Sequence, residues 1–372
     1  MAVALISLIT ALFTSWQMAQ YIYLPALESH FSSGYTSLAT LFGLSSLLFL
    51  GGNIFWPKLM VKAGTKTVLL IGVTGLGLSA LTFVIAWNEE SFFLLTLSRL
   101  AYGFLASALP PVTLSYRLSL AGTNESTLFG HSQALNFGRF LAPVLIAVFS
   151  PSVPVLGISF LAILGITALL TSVSHFPKTQ SQNSAAENFL PGFSHIIAFI
   201  LVSAAFLGLV QTSLGIFVSS KLGLTQAETV SLISILFIVS AAGAFGLQSF
   251  KSLLTKFSPV TLLTVSILFL SLGGVTLLNF TTRPVLYFAI ALISLGLALI
   301  HPNANRLAVG RTSQGKTGLL SGAHILGHAI GTTLAGIPAI SWTMGILIVL
   351  QIVSLISFVK LPQTGKDQHA HA

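Results

Sequence analysis

Long apolar runs, separated by short groups of polar residues, glycines and prolines, recur along the whole chain. A helix that crosses a bilayer needs about 20 mostly apolar residues. Twelve runs reach this length, and in chain order they cover residues 3–24, 35–56, 67–87, 91–112, 126–149, 153–174, 193–219, 227–249, 259–279, 284–305, 316–337 and 340–360. The pattern therefore predicts an all-α membrane protein with twelve transmembrane helices, numbered here as segments 1 to 12.

The longest polar stretch between these runs divides the segments six and six. It reads HFPKTQSQNSAAENFLPG and covers residues 175–192. This division predicts an N-terminal six-helix half at residues 1–174, a cytoplasmic linker at 175–192, and a C-terminal half with a short tail at 193–372. Paired halves of this kind, related by a pseudo-twofold axis, are typical of transporters with a central cavity.

Polar side chains inside the segments follow a repeating pattern. Segments 1, 4, 5, 7, 10 and 11 contain arginines, amides or histidines, whereas the interiors of 3, 6 and 9 contain no charge or amide. Segment 12 contains only Gln351. Because polar groups that face lipid are costly, segments 3, 6, 9 and 12 are predicted to face lipid, and segments 1, 4, 5, 7, 10 and 11 to line the interior.

The distribution of positive charge predicts the orientation in the membrane. If the N-terminus is inside, the inside loops hold most of the 16 basic residues, and the outside loops hold only Lys221 and Arg283. Basic residues accumulate on the cytoplasmic side of membrane proteins. We therefore expect a multi-pass protein of the inner (plasma) membrane with both termini in the cytoplasm.

Composition agrees with a membrane protein and excludes several other classes. Hydrophobic residues make up 54% of the chain and charged residues 6%, against about 25% charged in soluble domains. The net charge of +9 lies mainly in the loops between segments, so it indicates membrane orientation rather than nucleic-acid binding. The absence of cysteine excludes disulfides and thiol chemistry. No motif indicates a cofactor or ATP-driven transport.

Two arginines lie inside apolar segments, Arg99 in segment 4 and Arg139 in segment 5. A charge near the bilayer centre costs about 2.5–3.5 kcal/mol even on a lenient insertion scale, and it normally faces a cavity. The two arginines are predicted at similar depth, where two guanidinium groups could bind a carboxylate or a phosphate. Alternatively, each arginine pairs with helix carbonyls or with amides such as Gln20 or Asn136 and only holds the fold.

Acidic side chains are missing from the interior of every segment. All seven lie in loops, in tails or at helix ends: Glu28, Glu89, Glu90, Glu125, Glu187, Glu228 and Asp367. A cavity that holds two arginines and no carboxylate should attract anions and repel organic cations. The sequence thus predicts an anionic substrate.

Amides and histidines supply further candidates for the interior. Substrate contacts are predicted for Gln17, Gln20, Asn136, Gln211 and His328, although each amide could equally join two helices by a hydrogen bond. Histidine titrates near neutral pH, so His324, His328 and His301 are candidates to carry a coupling proton, or else they are hydrogen-bonded polar groups of the cavity. A histidine pair without a third ligand is a poor metal site, and no metal is predicted.

Several short motifs are similar to those of one transporter family. The inside loop PKLMVKAGTK at 57–66 is similar to the pattern G-x-L-A-D-R-x-G-R-R, which it matches at Lys62, Gly64 and Lys66 and leaves at Pro57 and Val61. SRLAYG around Arg99 is similar to R-x-x-x-G. GRFLAP at 138–143 is a loose match to a Gly-Pro motif of drug antiporters, and YLPAL at 23–27 resembles the end of their first helix.

With these motifs and its six-plus-six pattern, the chain resembles the major facilitator superfamily over essentially its whole length, in particular its drug/proton antiporter-like exporters. The resemblance implies a monomeric secondary transporter, not an enzyme, that works by alternating access. It also implies a gating role for Lys62, Gly64 and Lys66. Relatives include exporters of carboxylate siderophores, so export of a siderophore-like anionic metabolite with proton coupling is the leading prediction.

Two other functions remain open at this point. A broad multidrug exporter would suit a neutral, aromatic-lined cavity, and the 28 phenylalanines are compatible with one. A polytopic membrane enzyme or sensor acting on a lipid would need acidic metal-binding motifs or a histidine–carboxylate pair in the membrane. The sequence contains neither.

Overall fold

The computed structural model describes residues 2–121, 125–149, 152–174, 176, 193–250, 254, 256–309, 317–337 and 340–359. These residues form α-helices and one short 3-10 turn, with no strand among them. The helices are α1 (Ala2–Ile22), α2 (Leu24–Phe31), α3 (Tyr35–Ala63), α4 (Thr65–Asn88), α5 (Phe92–Phe104), α6 (Leu109–Ala121), α7 (Glu125–Phe149), α8 (Val153–Val173), α9 (Phe193–Leu222), α10 (Gln226–Ser249), α11 (Pro259–Asn279), α12 (Arg283–Val309), α13 (Thr317–Leu334) and α14 (Ile340–Val359).

This architecture confirms the predicted all-α membrane fold. In the described part of the chain, nine helices are long and apolar enough to cross a membrane, and two shorter apolar helices accompany them. Large apolar side chains are exposed along α8, α11 and α14, for example Ile166, Leu268 and Val349. These helices correspond to segments 6, 9 and 12, which were predicted to face lipid.

The connection between α3 and α4 is shorter than predicted. Segment 2 was expected to end at residue 56, but α3 continues through Pro57 to Ala63, and Gly64 alone joins it to α4. Gly64 has a φ of 88°, which glycine adopts without steric cost. The predicted gating residues Lys62 and Lys66 therefore lie in the last turn of α3 and the first turn of α4 rather than in a loop.

Segment 4 differs from its prediction in both shape and length. A 3-10 turn at Ala106–Ala108 separates α5 from α6, just before Pro110 and Pro111. Proline supplies no backbone N–H for the preceding turn, which explains the break in the helix. The chain then stays helical to Ala121. Arg117 follows segment 4 in the sequence, and the charge distribution counted it among the inside-loop residues. That assignment was wrong, since this arginine lies within α6 and is only 7% exposed.

Two close helix crossings recur in the two parts of the chain. At Gly138 of α7 a side chain would collide with the Ala11 carbonyl of α1, and at Gly331 of α13 one would collide with the Ala205 carbonyl of α9. The two contacts are separated by roughly half the chain. Their recurrence is what two structurally related halves would produce.

Several contacts between the first and second sets of helices lie at the predicted outer end. The Thr36 hydroxyl donates to the Gly336 carbonyl at 3.0 Å. A side chain at Gly43 would collide with Thr333, and one at Gly215 would collide with Pro25. Helices α3 and α13, and α2 and α9, thus close the bundle at this end.

Candidate functional site

Arg99 points into the bundle because it belongs to the buried stripe of α5. This stripe comprises Leu95, Ser98, Arg99 and Tyr102, which share one helix face by their spacing. The helix begins after Ser91, whose hydroxyl accepts from the Leu94 N–H at 3.4 Å. Arg99 is only 2% exposed, so the whole side chain lies in the interior.

The Arg99 guanidinium is held by an amide and two aromatic rings. One terminal nitrogen, Nη1, donates to the side-chain oxygen of Gln20 in α1. Its central carbon lies 3.8 Å from the centre of the Phe42 ring and 5.0 Å from the centre of the Tyr102 ring. Ring faces attract a cation, and more so where water is excluded. The described contacts therefore offset the charge without a carboxylate.

Arg139 is positioned by the tight crossing of α7 with α1. The Ser15 hydroxyl donates to the Gly138 carbonyl at 3.0 Å, and the Thr14 hydroxyl donates to the Leu135 carbonyl at 3.0 Å. These bonds fix the turn that presents Arg139, which is partly buried. Its Nη1 donates to the Asn136 side-chain oxygen at 3.5 Å.

Tyr102 connects the two arginines in space. Its side chain is within electrostatic range of both Arg99 and Arg139. We call Gln20, Arg99, Tyr102, Asn136 and Arg139 the arginine cluster. The structure thus brings together both predicted arginines and two of the predicted amides.

Several polar atoms of the arginine cluster are buried without a hydrogen-bond partner. They are Nε of Arg99, Nε of Arg139, Nε2 of Gln20 and the Tyr102 hydroxyl. Three of these groups can only donate, and the hydroxyl can do so as well. An unpaired buried donor costs about 1–3 kcal/mol. The cluster is therefore suited to a ligand that carries several hydrogen-bond acceptors.

His328 of α13 faces the arginine cluster from the second set of helices. One ring nitrogen, Nε2, lies 3.1 Å from the Gln211 side-chain oxygen, and the other lies 3.4 Å from the Thr332 hydroxyl. The Tyr21 ring packs edge-on at 6.0 Å between centroids. His328 is also within electrostatic range of Arg99 and Arg139. Two further predicted residues, Gln211 and His328, are thereby adjacent.

The remaining predicted residues lie apart from this arrangement or are only partly described. Gln17 is partly buried in α1, about one turn before Gln20, and His324 is partly buried about one turn before His328. His301 belongs to α12, and its side chain lies outside the part of the chain that the structure describes. Lys62, Gly64 and Lys66 lie at the opposite end of the bundle from the outer contacts.

Four residues in or beside the arginine cluster and His328 were not predicted from the sequence. They are Phe42, Tyr102, Tyr21 and Thr332. Aromatic residues and threonines are common throughout the apolar segments, so their type alone marks no site. Tyr102 could have been found, because it lies three residues after Arg99 on the same helix face. Phe42, Tyr21 and Thr332 come from other helices, and only the packed structure brings them close.

Metal binding is not indicated. The described residues contain no group of three or more histidines, cysteines or acidic residues placed to hold an ion.

Comparison with known proteins gives one family. The family profile described as Major Facilitator Superfamily matches residues 5–336, which is most of the chain. No curated protein gives a significant match.

Solved structures of transporters share the fold. The human organic anion transporter MFSD10 (TETRAN) superposes with a TM-score of 0.75 at 14% identity, over 96% of this chain and 98% of that one. The nucleoside transporter NupG gives 0.72 at 12% identity, over 96% and 98%. An inward-facing, occupied bacterial homolog of the human lysosomal transporter Spinster gives 0.71 at 13% identity, over 96% and 95%.

Proposed function

Because the chain belongs to the major facilitator superfamily, we propose that this membrane transporter is a secondary active exporter that works by alternating access. The proposed substrate is a small anionic or carboxylate metabolite of the siderophore-like kind. It would leave the cytoplasm across the inner membrane, with both termini of the chain on the cytoplasmic side.

The proposal of an anionic substrate rests on the unpaired hydrogen-bond donors of the arginine cluster. Arg99 and Arg139 present one buried nitrogen each, and Gln20 and Tyr102 add two more donors. A carboxylate offers two oxygens with about four acceptor positions, so one ligand could satisfy the whole set. A cationic ligand would leave these donors unpaired and add repulsion from two guanidinium groups.

The distribution of acidic residues supports the same proposal. The hydrogen-bond partners described for Arg99 and Arg139 are the amides Gln20 and Asn136. The acidic residues of the sequence lie in loops, in tails or at helix ends. No acidic residue within a segment is available to neutralise the two arginines, and a bound anion would do so.

Proton coupling is proposed to use His328. This histidine contacts Gln211 and Thr332 and lies in the field of both arginines. A bound anion would reduce the repulsion that a protonated His328 experiences. Binding of the anion and protonation of His328 would then favour each other. His324 and His301 are further candidates on α13 and α12.

A broad multidrug exporter is the second candidate, and a cluster of aromatic rings favours it. Phe13 stacks on Tyr102 at 5.4 Å and on Phe49 at 5.7 Å, while Phe49 lies 6.5 Å from Tyr102. Sites that bind lipophilic molecules are lined mainly by apolar and aromatic side chains such as these. The two candidates differ in the sign of charge that they accept.

A binding experiment on the purified full-length protein separates the two candidates. Thermal unfolding is followed with a panel of polycarboxylates, including citrate and citrate-based siderophores, and with the lipophilic cation tetraphenylphosphonium. We expect polycarboxylates to raise the unfolding temperature of the wild type and of Arg283→Ala, which removes an exposed arginine outside the cluster. The shift should disappear in Arg139→Ala.

Arg99→Lys tests the geometry of the same site while keeping the positive charge. Lysine cannot stack a flat group on Phe42 or present the Arg99 Nε donor. We expect the affinity for the polycarboxylate to fall about tenfold, which corresponds to about 1.4 kcal/mol. If tetraphenylphosphonium stabilises every variant and no polycarboxylate does, the arginines are structural and multidrug export becomes the better proposal.

A further inference from the structure

A second group of polar side chains meets near the predicted inner end of the first six segments, away from the arginine cluster. It consists of Ser7 on α1, Arg117 on α6 and His131 on α7. Arg117 Nη2 donates to the Ser7 hydroxyl, and that hydroxyl donates to the Val3 carbonyl at 2.8 Å. Arg117 is 7% exposed and His131 is 8% exposed, so both side chains are buried.

The register of α1 against α7 places Ser7 and His131 at the same level. A side chain at Gly138 would meet the Thr14 hydroxyl, so these two residues mark one level of the crossing. Both helices run toward the same end of the bundle. About two turns earlier on each helix come Ser7 and His131. Arg117 reaches this level from α6 and is within electrostatic range of His131.

Two nitrogens of this group are buried without a hydrogen-bond partner, Nε of Arg117 and Nδ1 of His131. The only described hydrogen-bond partner of Arg117 is a hydroxyl group. Burial of a positive charge is costly unless a negative group accompanies it. A guanidinium group and an imidazole nitrogen at one level can both donate to carboxylate or phosphate oxygens. The Ser7 hydroxyl, which itself donates to the Val3 carbonyl, holds Nη2 of Arg117 at this level.

We propose that Ser7, Arg117 and His131 form a second anion-binding site, which takes an oxyanion group. The group is either the carboxylate or phosphate of a soluble anion or the phosphate of a lipid headgroup. Arg117 lies 18 residues after Arg99, or about 27 Å at the rise of a continuous helix. The site is therefore separate from the arginine cluster. If the export proposal holds, this site is where a cytoplasmic anion first docks.

The absence of cysteine from the chain allows a direct test at this position. Ser7→Cys introduces the only thiol, and its labelling rate is measured with two methanethiosulfonates, the anionic sulfonatoethyl and the cationic trimethylammonioethyl reagent. The protein is held in phosphatidylcholine nanodiscs. Relative to Ala63→Cys, an exposed control at the end of α3, we expect the anionic reagent to gain about tenfold over the cationic one. Inorganic phosphate or citrate should slow it.

Adding Arg117→Gln to Ser7→Cys should abolish both the charge preference and the protection. Repeating the measurement with phosphatidylglycerol in the nanodiscs distinguishes the sources of the anion. Protection by phosphate or citrate in phosphatidylcholine identifies a soluble anion, and protection only by phosphatidylglycerol identifies a headgroup. Equal rates for the two reagents with no protection in either bilayer would overturn the proposal.

Two controls separate loss of anion binding at this site from misfolding and from effects at the arginine cluster. If Arg117→Gln does not fold, protection of Ser7→Cys alone decides, because that variant keeps the arginine. Arg139→Ala in the Ser7→Cys background should retain protection, since Arg139 belongs to the other site. Failure of the export proposal would appear as polycarboxylate binding that is absent from the wild type or survives Arg139→Ala, whereas failure of this proposal would appear as labelling of Ser7→Cys that no anion slows.

Discussion

At the scale of single residues, Arg99 shows how a positive charge can be buried without a carboxylate partner. Phe42 covers one face of the guanidinium at 3.8 Å, and Gln20 accepts from one of its terminal nitrogens. A carboxylate partner would occupy the same donors more tightly and leave none for a substrate. Compensation by rings and an amide leaves Nε unpaired, which is the property that an anion site requires.

Gln351 is another buried polar side chain with unpaired atoms, and it lies outside the proposed sites. It is fully buried in α14, and both its side-chain oxygen and its nitrogen lack hydrogen-bond partners. Such unpaired groups cost about 1–3 kcal/mol, and an apolar side chain of similar size removes this cost. We expect Gln351→Leu to raise the unfolding temperature of the purified protein, whereas Gln226→Leu at an exposed position should not. A lower unfolding temperature would show that the amide has a partner, such as a buried water.

The sequence predicted the charges of the site better than their surroundings. Arg99 and Arg139 stand out because charge within an apolar run has a known cost. Arg117 did not stand out, because a basic residue just beyond an apolar run looks like an ordinary loop residue. Nothing in the residue types distinguishes the last buried turn of α6 from a loop. Phe42 and Tyr21 are likewise set by packing between helices, which no local pattern contains.

At the scale of elements, the α1–α7 crossing depends on the absence of a side chain at Gly138. A methyl group there would collide with the Ala11 carbonyl and the Thr14 hydroxyl. Overpacking of this kind typically costs about 1–3 kcal/mol. We expect Gly138→Ala to lower the unfolding temperature and to weaken substrate binding, because Arg139 follows this residue directly. Gly165→Ala in α8 is the matched control, since nothing lies within 4 Å of its added methyl group. Equal effects in both variants would contradict the crossing.

Glu28, in the short helix α2, should make the free energy of unfolding depend on pH. Burial raises the pKa of the Glu28 carboxyl above its ordinary value, and a hydrogen bond from the Tyr35 backbone lowers it by less. Between the ordinary and the raised pKa, the folded protein holds more protons than the unfolded chain. The free energy of unfolding therefore falls as pH rises through this window.

Glu28→Gln removes this titration. We expect the variant to be more stable than the wild type above the window and to lose the corresponding step in a plot of unfolding temperature against pH. Glu89→Gln, at an exposed position beside the next turn, should keep the step. A step that persists in Glu28→Gln would assign the pH dependence to another group.

Element boundaries were the weakest part of the sequence prediction, and the errors have a common cause. Segment 2 was predicted to end at residue 56, just before Pro57, and segment 4 at residue 112, just after Pro110 and Pro111. In the structure α3 continues through Pro57, and the proline pair only interrupts segment 4. Neighbouring helices within a membrane bundle can satisfy backbone groups that a proline leaves free. Local sequence does not reveal whether such neighbours are present.

At the scale of the whole molecule, the two halves of the chain share helix contacts but differ in their buried charged residues. Ser45 donates to the Arg99 carbonyl between α3 and α5, and Ser294 donates to the Ser240 carbonyl between α12 and α10. The second contact lies roughly half a chain after the first, as do the two glycine crossings. The repeat is thus structural, while the buried arginines among the described residues, Arg99 and Arg117, lie in the first half. His328 belongs to the second half and lies in the field of Arg99 and Arg139. The proposed substrate site therefore needs residues from both halves.

The closed outer end can be locked in a chain that has no cysteine of its own. A side chain at Gly336 would lie 3.3 Å from the Ala39 Cβ, close to the Cβ separation of about 3.5–4.5 Å in disulfides. Oxidised Ala39→Cys/Gly336→Cys should therefore join α3 to the end of α13. Alternating access requires this end to open, so we expect transport into proteoliposomes to stop on oxidation and to return with reductant.

Substrate binding to the purified, oxidised protein should remain, because the arginine cluster is already assembled when the outer end is closed. Each single-cysteine variant should transport normally under both conditions. Transport that continues after complete cross-linking would mean that the path does not pass between α3 and α13, whereas lost binding would mean that the ligand enters only from the outer side.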